Sequence, residues 1–189
     1  TKIVLGENLI VSIGSEFIEN NGEDAQRQKN KGEEERKQDC ETKAFKRLAV
    51  KIKKAFPRLP ITLLADSLYA SEPVMDLCRG NGWEFIIRYK AGSIPCIEEE
   101  YEKIPEKETA GHSEFINDID YNGELVNVLR YYEDKTVKGE TVRTEFQWLT
   151  NIRIRKKNAE KMAGAGRKRW KIENEGFNRQ KNWQGDITH

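Results

Sequence analysis

Cysteine and histidine are scarce in this chain. Three cysteines, Cys40, Cys78 and Cys96, and two histidines are spread over 189 residues. No C-x-x-C pair occurs, and so few soft ligands exclude a zinc module of the usual spacings. An odd, sparse set of thiols fits a reducing cytoplasm rather than a disulfide-stapled secreted scaffold. Long apolar runs are missing too. Nothing approaches the roughly 18 residues that a membrane-crossing helix needs, and no signal peptide is visible, so no membrane partner is expected. The chain opens at Thr1 directly into a strand-like run and stops at His189, which reads as a fragment.

What is abundant is charge, and it is unevenly placed. Lys and Arg total 33 against 32 Asp and Glu, a net +1. Between Glu98 and Asp134, however, twelve acids face three bases, a net −9. Between Ile152 and Lys181, eleven bases face three acids, a net +8. A basic block of that kind suits a polyanion such as DNA, although a solvated helix face has the same composition.

The apolar residues are clustered enough to give elements. Lys2–Leu5 and Leu9–Phe17 read as strands about a turn at Gly6-Glu7-Asn8. Asn20–Gln38 is polar and reads as a loop or a weak helix start. In Asp39–Phe56 the residues Phe45, Leu48, Ala49, Ile52 and Phe56 recur at three and four, the stripe of an amphipathic helix that Pro57 and Pro60 end. Ile61–Ala65 is a short buried strand ending in Asp66. Ser71 caps a helix to Arg79, and Trp83–Tyr89 is the next strand.

Asn122-Gly123 between two strand-like runs is a strong hairpin signal. Val142, Thr144, Phe146 and Trp148 alternate with polar neighbours, so Ala91–Asn151 reads as an antiparallel meander protruding from the core. Asn158 to about Trp183 reads as helix, interrupted or delayed by Gly164 and Gly166. The order implies an α/β fold, a mixed sheet flanked by helices. Three parts follow: a core from 1 to 90, a β-rich insertion from 91 to 151, and a basic helical part from 152 to 189.

Two acids stand out as candidates for chemistry. Asp66 sits at the carboxyl end of a buried strand, the edge where open α/β sheets bind ligands. A helix cap or turn-starting Asp explains it as well. Glu173 shares a helix face with Arg169 and Phe177, where a salt-bridge role is the plain alternative. Taken together, the pair meets a known chemical need. Phosphodiester cleavage and strand transfer use two Mg²⁺ ions roughly 3.5–4 Å apart, held by hard carboxylates. Arg169 and Lys181, flanking the Glu, suit phosphates. Tyr69, Trp170 and Trp183 could stack on unpaired bases or pack inside.

These residues resemble a family. Asp66-Ser67-Leu68-Tyr69, then a strand running into Arg88-Tyr89-Lys90, a β insertion, and Arg169-Trp170-Lys171-Ile172-Glu173 are similar, in order, to the DDE transposases of bacterial insertion sequences. The resemblance implies a ribonuclease H-like fold with a β insertion before the last helix. It implies a cut-and-paste transposase that cleaves DNA strands and joins them to a target, with Mg²⁺ or Mn²⁺ held by Asp66 and Glu173. It further implies transposon-end and target DNA as partners, a homodimer in the synaptic complex, and a nucleoid-associated enzyme. Arg167, Lys168, Arg169, Lys171, Arg179, Lys181, Trp183 and Tyr69 are the expected DNA-binding residues.

The family's first acid would precede Thr1, and Asp24 substitutes for it poorly, so the chain is expected to be inactive alone. A related branch carries Tyr three residues before the Arg and Lys seven after the Glu. Here Gly166 and Gln180 stand there, with Lys181 one residue on. A catalytically inactive or domesticated DNA-binding descendant is the alternative. A nuclease of the same fold is a third, which the β insertion disfavours.

Overall fold

The computed structural model describes residues 2–5, 9–16, 33–90, 92–137 and 139–169. The chain forms two compact units, Thr1–Leu59 and Pro60–His189. In the first, β1 (Lys2–Leu5) pairs antiparallel with β2 (Leu9–Ser12), Lys2 opposite Ser12. Helix α1 spans Glu33–Ala55 and buries Ala44, Leu48, Ala49 and Ile52. It begins six residues before the expected Asp39, because Glu33–Gln38 lacks the apolar spacing that would announce a helix. Phe56 falls just past its end and is exposed, so the buried stripe stops at Ile52. Arg47 and Lys51, one turn apart, both donate to the Glu16 carboxylate at 2.8 and 2.6 Å.

The second unit is built on one six-stranded sheet. Its strands are β3 (Thr62–Ala65), β4 (Glu84–Tyr89), β5 (Glu108–Ala110), β6 (Ser113–Tyr121), β7 (Glu124–Val137) and β8 (Glu140–Thr150). The spatial order is β3-β4-β8-β7-β6-β5. Only β3 and β4 are parallel; every other neighbouring pair is antiparallel, giving the mixed sheet expected of an α/β chain. β8 pairs with β4, Ile86 opposite Thr150 and Tyr89 opposite Gln147. The meander therefore extends the core sheet instead of protruding as a separate one.

Helix α2 (Glu72–Gly80) starts with Ser71 at the cap position and Pro73 in its first turn, but the Ser71 side chain makes no capping bond. Helix α3 (Pro95–Lys103) lies inside the segment read as wholly β. It buries Ile97 and Tyr101, which stand four residues apart on one face. Helix α4 (Ala159–Arg167) runs through Gly164 and Gly166 without a break. Ala159, Met162 and Ala163 pack it against Ile86, Phe115, Leu129, Trp148 and Ile154.

The β6–β7 turn is as expected. Asn122 and Gly123 both have positive φ, 56° and 85°, the type I′ geometry whose twist matches the strands it joins. No helix among the described residues is long and apolar enough to cross a membrane.

Candidate active site

Asp66 follows β3 directly. The strand ends there because the next residues form a short 3₁₀ turn, Ser67–Tyr69, for which Asp66 is the N-cap. Its Oδ1 accepts a hydrogen bond from the Leu68 amide at 3.1 Å, so the carboxylate is both a cap and a fixed group at the sheet edge. Oδ2 lies 3.6 Å from the Arg169 Nη1, with the side chains 42% and 21% exposed respectively. That distance is an ion pair rather than a hydrogen bond.

Arg169 reaches Asp66 because α4 is seated close to the sheet. The Asn158 side chain ties the helix start to the preceding loop, accepting from the Arg155 amide at 2.6 Å and donating to the Arg153 carbonyl at 3.1 Å. Further along, Gly166 lies against the Trp148 indole with no room for a side chain between them. The basic run Arg167-Lys168-Arg169 then emerges at the helix end nearest the β3 edge.

The three do not share one environment. Arg167 is tied to the sheet: its guanidinium bonds the Glu133 carboxylate at 3.0 and 3.3 Å and lies 5.2 Å from the centre of the Phe146 ring. Lys168 caps α4 through its backbone and is half-buried. Tyr69 is half-buried within the 3₁₀ turn beside Asp66. Glu173, Lys171, Arg179, Lys181, Trp170, Trp183 and Asp24 lie outside the described residues.

Arg88, to which the sequence pattern assigns no role, belongs to the same edge. Ala65 stands opposite Ile87 across the parallel pair, which sets Asp66 level with Arg88 on the next strand. The Arg88 guanidinium lies 5.4 Å from the Phe146 ring centre, the ring Arg167 also approaches. Its trace in the sequence is the Arg88-Tyr89-Lys90 run at the end of β4, where it stands last but one in the strand.

This edge therefore combines one fixed, half-exposed carboxylate with the guanidinium of Arg169, two residues past the end of α4. Residues 24–189 match the family described as the transposase DDE domain. The chain belongs to the DDE transposase family. No curated protein matches it.

As a transposase DDE domain, the mixed sheet with its flanking helices is ribonuclease H-like, as the motif order implies. DNA is the substrate class of such a domain, and divalent metal is its usual cofactor. Asp66 suits a hard cation: its oxygens are anionic, one is oriented by a backbone N–H, and the side chain is accessible. It fits as one ligand of a set. Among the described residues no three His, Cys, Asp or Glu side chains gather where they could hold a metal ion.

Proposed function

We propose that this domain cleaves DNA at transposon ends and joins the freed 3′ hydroxyls to a target, with Asp66 and Glu173 as metal-holding carboxylates. The observation that carries the reading is the approach of Arg169 to Asp66 at 3.6 Å. It joins the two motifs, which are a hundred residues apart in the chain, at one sheet edge. Glu173 follows Arg169 by four residues within the second motif, and the resemblance makes it the second carboxylate.

Bound at these carboxylates, Mg²⁺ or Mn²⁺ would supply an activated nucleophile and charge neutralisation at the leaving oxygen. The chain's own residues do the positioning. The Leu68 amide holds the Asp66 carboxylate in one orientation, so the carboxylate itself need not turn when substrate arrives. Arg169 and Lys168 supply cations for the phosphates on either side of the scissile bond, with Lys171, Arg179 and Lys181 continuing the basic track and Tyr69 and Trp183 offering faces for unpaired bases. Arg167 serves the fold first, through Glu133 and Phe146. Two protomers holding two transposon ends are the assembly this chemistry calls for.

The test is a cleavage and joining assay on transposon-end DNA with the intact transposase, beside a binding titration at two salt concentrations. Asp66→Asn and Glu173→Gln should each abolish metal-dependent cutting and leave salt-sensitive binding in place. Cutting that survives either change would remove that acid from the active site.

A further inference from the structure

The Asp66–Arg169 contact has the character of a pair built to part. The carboxylate is anchored from the other side by the Leu68 amide, so it keeps its orientation when the guanidinium leaves. The contact itself is 3.6 Å, without the short, aligned geometry of a committed bidentate bridge. Asp66 is the more exposed partner, so a solute can reach the carboxylate while Arg169 is still in place.

We propose that Asp66 and Arg169 form an exchange pair, in which a divalent cation and a DNA phosphate each bind by taking one member from the other. This rests on the reading of Asp66 as a metal ligand. A divalent cation at Oδ2 and a guanidinium at the same oxygen repel one another, so entry of the metal expels Arg169. The released guanidinium has the fork geometry that phosphate prefers. In the other direction, a phosphate that captures Arg169 strips Asp66 of its counterion and raises its affinity for the cation. The two ligands therefore bind with positive coupling, and by linkage each must strengthen the other by the same factor.

The experiment uses the 189-residue chain, Mn²⁺ followed by electron paramagnetic resonance, and a short duplex of unrelated sequence whose own Mn²⁺ uptake is subtracted. In the wild type the duplex should tighten Mn²⁺ binding about two- to fivefold, the range expected for losing one partly exposed counterion. Arg169→Gln should bind Mn²⁺ tighter by that same factor without DNA, and the duplex should add nothing further. Arg169→Lys, which keeps the charge, should retain the coupling. Thermal unfolding of each variant verifies that it is folded.

Mn²⁺ binding by Arg169→Gln that is unchanged or weaker, or coupling that survives the substitution, would overturn the exchange. Asp66→Asn separates the two levels. If it weakens Mn²⁺ binding while Arg169→Gln does nothing, the exchange alone fails. If Asp66→Asn leaves Mn²⁺ binding intact, the assignment of Asp66 as a ligand fails, and the exchange with it.

Discussion

A Cβ placed on Gly166 would lie 2.5 Å from Nε1 of Trp148, closer than any real side chain approaches. Trp148 is 1% exposed near the end of β8 and has nowhere to move. The glycine therefore sets how near α4 lies to the sheet, and so where Arg169, three residues on, meets Asp66. Gly166→Ala should lower stability by about 1–3 kcal/mol, the usual cost of overpacking a filled core. Trp148→Leu in the same chain should recover part of the loss by vacating the contested space. Urea unfolding of the two single variants and the double variant measures this; additive losses would mean that the two residues do not compete.

Arg130 is the second residue whose removal should be felt throughout the unit. It is nearly buried between the sheet and α3. It bonds Glu98 at 2.6 Å and Glu102 at 3.1 Å, and its guanidinium centre lies 3.8 Å from the centre of the Tyr101 ring. Tyr101 in turn donates to Glu114 at 2.6 Å, and burial pushes its phenol well above the ordinary range. Arg130→Met should cost about 3 kcal/mol, because it leaves Glu98 half-buried without its cation. Arg130→Lys should rescue little, since an ammonium cannot bridge two carboxylates and stack on a ring at once. Adding Glu98→Leu to Arg130→Met should restore most of the loss. Denaturant midpoints decide it, and a double variant as unstable as the single one would show that the pair is not the source.

How much of this was legible in the sequence depended on the range of the signal. The Asn122-Gly123 turn, β3 and the end of β3 at Asp66 were readable because each is a local pattern of a few residues. The family resemblance was readable because its two motifs are short and ordered. Helix α3 was missed. Its five charged residues masked Pro95 at the helix start and the Ile97–Tyr101 spacing, which together would have announced it. The continuity of the sheet was not legible either, since β4 meets β8 across sixty residues and nothing local specifies that register. Gly164 and Gly166 suggested a broken helix by propensity alone. Packing against Trp148 overrides propensity there, and only the partner's identity reveals it. Arg167 looked like its neighbours Lys168 and Arg169, and the sheet residues that hold it lie over twenty positions away.

The thiols offer a direct check of the packing under α2. Cys78 is fully buried, and burial pushes its thiol up to about 12; Cys96, near the start of α3, is exposed. Thiolate, the reactive form, is therefore scarce and shielded at Cys78. In a Cys40→Ser background, an aromatic disulfide reagent at neutral pH should label one thiol rapidly and the second only on unfolding. Cys96→Ser should remove the fast phase. Rapid labelling of both would mean that α2 opens readily from β4.

Arg167 permits its structural role to be separated from the DNA role proposed for its neighbours. The Glu133 carboxyl is held below its ordinary range, first by the bond from Lys135 and then by Arg167. A depressed carboxylate stabilises the fold above its unfolded pKa, and that contribution is lost as the pH falls through the lowered folded value. The melting temperature of wild type should therefore exceed that of Glu133→Gln by a constant margin from about pH 8 down to about pH 5, and the margin should close toward about pH 3. Arg167→Ala should reproduce the loss at neutral pH and show the same convergence in acid. Lys168→Ala should melt like wild type yet bind DNA more weakly, with a shallower salt dependence. If Arg167→Ala instead left the melting curve unchanged and weakened only DNA binding, its ion pair with Glu133 would be incidental and the residue would belong to the DNA-binding track.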